Sequence, residues 1–418
     1  MPIAVDLKMT EQPDSDLILD LPYLLALNAG ATIGHDGHAY CDPSWAVDLV
    51  RHARHLPQLT FFAPVDYREP RAIEERLPDG LFRLVPYRYF GGRYLSYLAL
   101  PRMIGLLLRE VPRTQIVHTC VAGLPFPVGW IAIPIARLFG KKIVVTLESS
   151  FWRLNNPASS TIRERFVAEF WERMTRWCMR QVHYAAYQHE EYRQSFPAPK
   201  AGGGVLYQAS WVETSQILPP DEVSARWDRR IAENAPPRFL FASRMVPEKG
   251  TDVVAATIRL LEQCGANVTL HIIGAGPELA KLKNGARTPW AKKHVKFFEP
   301  MRYGPAFLQM LTTYDAVLVP SLSDEQPRII YDAYSQGTPV IATDRPGSCV
   351  SVVDGQTGRI VSAGDAVALA NTMCAVARDL PTLARWGLAA RDKATHFTHE
   401  RMHEERVANL RGMLSSLT

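Results

Sequence analysis

The sequence predicts an α/β chain of two doubly wound domains, each a parallel sheet with helices on both faces. Short apolar, β-rich runs alternate with helical patterns in both halves. A proline-rich break, Leu218 to Pro237 with LPPDEV and NAPP, separates two such series. The length, 418 residues, suffices for two ordinary cores. These readings place a first domain over 1–215, a connection with a short helix over 216–237, and a second domain over 238–395. A closing helical segment, 396–418, is free to pack on either domain.

In the first half the strands are read at Tyr23 to Leu27, Leu59 to Pro64, Gln115 to His118, Lys142 to Leu147, His183 to Tyr187 and Gly204 to Tyr207. Between them the helical period covers Ser44 to His55, Leu95 to Glu110, Val128 to Leu138 and Ser160 to Arg180. The last helix is basic and aromatic, which raises peripheral contact with a membrane surface; a buried amphipathic face is the preferred reading. The second half reads as strands at Phe239 to Ala242, Val268 to Ile273, Val295 to Phe298, Ala316 to Val319, Val340 to Ala342 and Gly358 to Val361.

A hydrophobic share of 47% and a charged share of 21% exclude a disordered chain. The net charge of +5 suits an anionic substrate or membrane surface, and no Lys/Arg run is dense enough to favour nucleic acid. Six scattered cysteines form no CxxC pair and fit a reducing compartment. The start, MPIAVDLKMTEQPDSD, lacks a basic region followed by an apolar core. The most apolar window, Val121 to Phe139, contains Pro125, Pro127 and Pro134 and reads as loop and buried helix. A cytoplasmic location is therefore expected, with the inner face of a membrane as the alternative setting.

Chemistry concentrates in the second half. The segment PSLSDEQPRIIYDAYSQGTPVIATDRPG puts Asp324, Glu325 and Asp332 between an apolar strand and a helix stopped by Gly337. A loop after such a strand lies at the carboxyl edge of the sheet, where open α/β folds bind ligands. Carboxylates there suit the hydroxyl pairs of a sugar or ribose, although acids also favour any helix start. Upstream, SRMVPEKG places Arg244 and Lys249 before a helix opened by Thr251, a pattern suited to a phosphate group or to a plain solvated loop. LHIIGAGPEL adds Gly274, Gly276 and Pro277 at a strand-to-helix turn, where glycine permits close backbone approach.

The order and spacing of these segments resemble glycosyltransferase family 4, strongly over Arg238 to Val361 and more faintly in the first half. The resemblance implies the GT-B fold, two Rossmann-like domains facing across a cleft. SRMVPEKG looks like the family's G-R-x-x-x-x-K-G segment, IIGAGPE its GxGP turn, VVDGQTGRIV its DGxTGxLV strand pair and FTHERM its FSWExV segment. Arg244 and Lys249 then take the cationic positions at the donor diphosphate. Alignment on the family's E-x7-E motif sets Asp324 toward the donor sugar and Asp332 toward the ribose, with Glu325 in the first role if the loop shifts by one residue. The family's GFG is here Gln326, Pro327 and Arg328, with Arg328 a further phosphate contact or a helix-start cation.

In the first half, Gly34, His35 and Gly37 occupy the place of the family's glycine-rich loop, or form a plain polar loop. IVHTCVAG is similar to VHxHxP with Cys120 at the second histidine, and His118 reads as a satisfied core histidine. Glu148 stands where the family has an acceptor-side histidine, and QASW (Gln208 to Trp211) replaces its N-G-V-D turn. The resemblance implies retaining transfer from a nucleotide diphosphate sugar to an acceptor hydroxyl, with no metal and no further cofactor. The acceptor expected is a glycan or a lipid-linked molecule of envelope or exopolysaccharide synthesis. The alternatives are a non-catalytic nucleotide-sugar or glycan-binding protein, or another GT-B chemistry such as epimerisation.

Overall fold

The computed structural model describes residues 14–88, 95–123, 126–153, 160–199, 204–233 and 235–416. Residues 1–13, on which the leader reading rests, lie outside that set, as do Pro125 and Asn234. The chain divides into two compact units, one formed by 1–207 with 400–418 and the other by 208–399. The boundary thus falls before the expected residue 215, and residues 216–237 belong to the second unit.

The first unit contains β1 (Tyr23–Ala26), β2 (Ala31–Ile33), β3 (Ala39–Cys41), α1 (Pro43–His55), β4 (Leu59–Tyr67), β5 (Glu75–Arg76) and β6 (Arg83–Arg88). There follow α2 (Leu100–Glu110), β7 (Ile116–Cys120), α3 (Gly129–Leu138), β8 (Lys142–Leu147), α4 (Ile162–Met179), β9 (Tyr184–Tyr187), α5 (Glu190–Ser195) and β10 (Gly204–Leu206). Its parallel strands lie in the order β6-β4-β1-β7-β8-β9-β10. Counted along the chain, this is the 3-2-1-4-5-6 order of a dinucleotide-type sheet with one strand added.

The expectation of a purely parallel sheet needs one correction here. β2 pairs β4 in parallel, but β3 is antiparallel to both β2 and β5. These strands have two or three residues each, too short to leave a periodic trace in the sequence.

Local signals account for the helix starts. Asp42 caps α1 by accepting the Ser44 N–H, with Pro43 in the first turn, and Thr161 and Glu164 form a capping box on α4. Helices α2, α3 and α4 share one buried core with Leu24, Val117 and Ile143. The opposite core, with Tyr23, Leu25 and Ile116, also takes Val407, Leu410 and Met413 from the closing helix.

The second unit contains α6 (Pro220–Glu233), β11 (Arg238–Ala242), α7 (Thr251–Gln263), β12 (Thr269–Ile273), α8 (Leu279–Gly285), α9 (Pro289–His294) and β13 (Val295–Phe298). Then come α10 (Pro305–Leu311), β14 (Ala316–Val319), α11 (Ile329–Ser335), β15 (Val340–Thr343), α12 (Pro346–Cys349), β16 (Gly358–Val361), α13 (Ala366–Val376) and α14 (Leu380–Ala394). The closing helix of the first unit is α15 (His399–Ser416). The second sheet is wholly parallel, in the order β13-β12-β11-β14-β15-β16. In β11, Phe239 and Phe241 face one core and Leu240 the other, so both sheet faces are covered.

Helix α6 belongs to this unit because its apolar stripe is spent on it. Val223 and Trp227 are buried in its core, and Trp227 Nε1 donates to the Gly337 carbonyl at 3.1 Å. Arg230 pairs with Asp315 at 2.8 Å, both less than a tenth exposed, and Asp315 also accepts the Arg238 N–H at 2.7 Å.

Candidate active site

The strand order of the second sheet reverses between β11 and β14, so the loops after these strands meet at the topological switch point. The β11 loop, Ser243 to Gly250, ends in a short 3-10 turn over Pro247–Lys249. Gly250 has φ +77°, and a Cβ on it would stand 1.9 Å from the Pro320 carbonyl oxygen after β14. Only glycine satisfies both conditions, and the two loops lie backbone to backbone. Leu322 N donates to the Glu248 carbonyl at 2.8 Å, extending that contact.

This packing brings together the charges expected from the sequence. Lys249 Nζ lies 3.1 Å from Glu325 Oε2, and Arg345 makes a short ion pair with Asp324. The Gly347 N–H donates to the Asp324 carbonyl at 3.1 Å, which holds the loop after β15 against the carboxylate segment. Arg244 lies exposed in the same β11 loop as Lys249. Two carboxylates and two cations are therefore interleaved at one sheet edge, and each carboxylate already holds a cation. Sequence reasoning passed over Arg345; its place two residues after β15, beside the carboxylate loop, was the available signal.

The glycine turn has a task within the protein itself. A Cβ on Gly274 would lie 1.9 Å from the Ser243 carbonyl oxygen, and one on Gly276 would lie 2.3 Å from that of Met245. Met245 N donates to the Ala275 carbonyl at 2.8 Å, and Glu278 N donates to the Met245 carbonyl at 3.0 Å. The close approach that needs glycine is made by the Arg244 loop itself. The GxGP turn thus fixes the cationic loop from below.

At the start of α11 the three residues in place of GFG are structural anchors. Gln326 is buried, its Oε1 accepting the Ala209 N–H at 2.8 Å and its Nε2 donating to Ser351 Oγ at 2.9 Å. The Pro327 carbonyl accepts the Ile330 N–H at 3.1 Å. Arg328 lays its guanidinium over the Trp211 ring at 3.5 Å, a cation–π contact.

Asp332 is buried one turn further on, and Tyr303 shares its hydroxyl proton between the Trp211 carbonyl at 3.0 Å and Asp332 Oδ1 at 3.3 Å. Burial pushes the Asp332 carboxyl up to about 7, with Arg328 and the Tyr303 hydrogen bond pulling the other way. Neither Tyr303 nor Trp211 was singled out as a site residue, because aromatic residues in loops carry no spacing that marks them.

In the first unit the expected residues do not converge in this way. Gly34 and His35 lie in the turn of the β2–β3 hairpin, where Gly34 N donates to the His38 carbonyl at 3.0 Å. His35 pairs with Glu69 at 2.8 Å, with both side chains more than two-thirds exposed. His118 is buried and served at both ring nitrogens, by Tyr23 and by Thr146, each at 2.8 Å. Cys120 donates to Asn28 Oδ1 at 3.2 Å, and burial pushes its thiol up to about 12. Glu148, exposed just after β8, accepts the Tyr207 hydroxyl at 2.7 Å.

Residues 236–379 match the protein family described as Glycosyl transferases group 1. The second unit is a glycosyl transferases group 1 domain. A GDP-mannose-dependent alpha-(1-6)-phosphatidylinositol monomannoside mannosyltransferase of Mycolicibacterium smegmatis is 29% identical to the chain over 208 residues, 48% of this chain and 54% of that protein. A glycogen synthase of Mycobacterium tuberculosis is 27% identical over 41% of this chain and 42% of that one. The matches to these relatives thus span about half of their length or less.

Likeness of fold extends further than likeness of sequence. A sucrose-phosphate synthase from Thermosynechococcus elongatus superimposes with a TM-score of 0.70 at 15% identity, over 94% of this chain and 99% of that one. Anabaena Alr3699/HepE, solved in complex with UDP, gives 0.66 at 15% identity over 94% and 100%. The chain has the GT-B fold of two α/β domains built on parallel sheets.

Proposed function

We propose that the protein transfers a hexosyl group from a nucleoside diphosphate sugar to an acceptor hydroxyl, with retention of configuration and without a metal. The observation that carries this reading is the interleaving of Lys249 and Arg345 with Glu325 and Asp324 at the switch point of a group 1 domain. Cations at that edge suit the diphosphate, whose charge grows as the glycosidic bond breaks, and Arg244 in the same loop adds a third. Arg345 Nε is buried without a protein partner, a donor left for a ligand oxygen.

In this reading Asp324 and Glu325 exchange part of their ion pairing for hydroxyls of the donor sugar, and Asp332 with Tyr303 receives the ribose. Gln326 and Pro327 act by holding the segment, and Arg328 by its stack on Trp211. Glu148 is proposed as the acceptor-side carboxylate, with Cys120, registered against Thr146 on the neighbouring strand, as a wall residue. The acceptor is a glycan or a lipid-linked hydroxyl, and the setting is the cytoplasmic side of the envelope. The relatives' names support a nucleotide-sugar donor, GDP-mannose in one of them.

The test is a thermal-shift panel of nucleotide sugars followed by turnover with labelled donor. A ligand at about 100 times its Kd should stabilise by about 2.7 kcal/mol. Transfer of label to a new hydroxyl is the expected result. Label retained on the nucleotide points to epimerisation, and a flat response to every donor overturns the reading.

A further inference from the structure

Helix α4 is apolar on two sides. Trp171, Cys178 and Met179 face the core of the first unit, as an amphipathic helix requires. Yet Ile162 is 87% exposed and Phe166 74%, and Phe170 and Trp177 are also strongly exposed. The spacing of Ile162, Phe166 and Phe170 at i, i+4 and i+8 aligns them in one stripe on the face away from that core.

The stripe does not stand alone. α2 and α3 cover the same sheet face beside α4, and they expose Ile104 and Leu108, and Leu138, respectively. Among the described residues, ten of the twenty strongly exposed large apolar side chains fall between Ile104 and Trp177, whereas those of the second unit are scattered singly.

Charge says what covers this face. Residues 100–113, 129–142 and 160–180 carry eleven Lys/Arg against four Glu, an excess larger than the +5 of the whole chain. Nine of the eleven are arginine, the side chain that meets phosphate oxygens in pairs and is weakly hydrated. Three of the acids pair with arginines in and beside this set, Glu110 with Arg83, Arg109 and Arg113, Glu169 with Arg173, and Glu172 with Arg153 and Arg176, and the net excess of seven positive charges stands after they are counted. No helix among the described residues is long and apolar enough to cross a membrane, so an exposed apolar stripe flanked by arginines fits a surface rather than a span.

We infer that the α2–α3–α4 layer docks on an anionic phospholipid surface, with Ile162, Phe166 and Phe170 entering the headgroup boundary and the arginines on lipid phosphates. This rests on the surface of the first unit and not on the transfer reading, and its assay contains neither donor nor acceptor.

The test is flotation of the full chain with vesicles of phosphatidylcholine alone and of phosphatidylcholine mixed with phosphatidylglycerol. The protein should float with the mixed vesicles and be released by salt. Phe166→Ser combined with Phe170→Ser should bind at least about tenfold more weakly. Both positions are exposed, so the variant's thermal midpoint should match that of the parent. Equal flotation of parent and variant, or no preference for the anionic vesicles, overturns the inference. A parent dimer in light scattering that the same substitutions dissolve, with no vesicle binding, overturns it in favour of a second copy.

Discussion

The two units share a strand order but finish their switch points in opposite ways. In the second unit the edge between β11 and β14 holds Lys249, Glu325, Asp324 and Arg345, four ionised side chains on backbones locked together at Gly250. Among the described residues, the edge between β1 and β7 in the first unit is tied by the neutral side chain of Asn28. Its Oδ1 accepts from the Val128 N–H at 3.0 Å and from Cys120, and its Nδ2 donates to the Phe126 carbonyl at 2.9 Å. The same fold position thus carries paired charges in one unit and is tied by an amide in the other. A shared topology supplies a place for chemistry, and the residues decide whether it is used.

The strongest challenge to the second unit's rigidity is Arg230→Ala. Removing it leaves Asp315 buried with its charge half answered, at a cost of roughly 3–5 kcal/mol. Denaturant unfolding should show this loss, and a change below about 1 kcal/mol would mean that α6 does not pin the unit as described.

Lys249→Ala should lower kcat by at least ~10²-fold while leaving the unfolding midpoint near that of the parent. Turnover close to the parent's would break the contrast between a charged and an amide-tied edge. Asn28→Ala probes the other side of it. The Val128 N–H loses its acceptor, and the first unit should be destabilised by about 1–3 kcal/mol with donor affinity unchanged. A loss of donor affinity without a loss of stability would show that the first switch point is a ligand site after all.

How much of this was legible varied with the kind of force involved. The long parallel strands were, because burial on both faces writes continuous apolar runs, and β8, β13, β14 and β16 coincide with their expected limits. The positions of Lys249 and Glu325 were legible from their loops, but not their pairing, since a side-chain contact across 76 residues leaves no local trace. The glycine turn was visible and its reason was not: a positive φ reads the same whether a ligand or the Ser243 to Met245 backbone comes close. The hairpin strands β2 and β3 were missed because three residues cannot show a period. The buried face expected of α4 is present, but its outward stripe was not separated from it, since periodicity reports that a face is apolar and not what it meets.

Asp332 offers a pH test of the second unit. Its folded carboxyl stands at about 7, above its ordinary 3.8, so the folded state holds a proton that the unfolded chain has released. Between about pH 4 and 7 the parent should therefore lose stability with rising pH at this site, reaching the full cost above 7. Asp332→Asn should gain on the parent across that window, and under the proposed ribose contact it should also remove a rise in nucleotide affinity through pH 7. A parent and variant with parallel stability profiles would show that Asp332 is ionised in the fold throughout.

The smallest expected effect lies in the first unit. His35 sits in a solvent-facing hairpin turn, and its ion pair with Glu69 is open to water on both sides, where such pairs contribute little. His35→Ala should leave the unfolding midpoint and turnover unchanged, each within measurement error. A loss of kcat without a loss of stability would restore the glycine-rich segment to the phosphate role expected from the sequence. It would also place chemistry in the unit whose own switch point Asn28 ties.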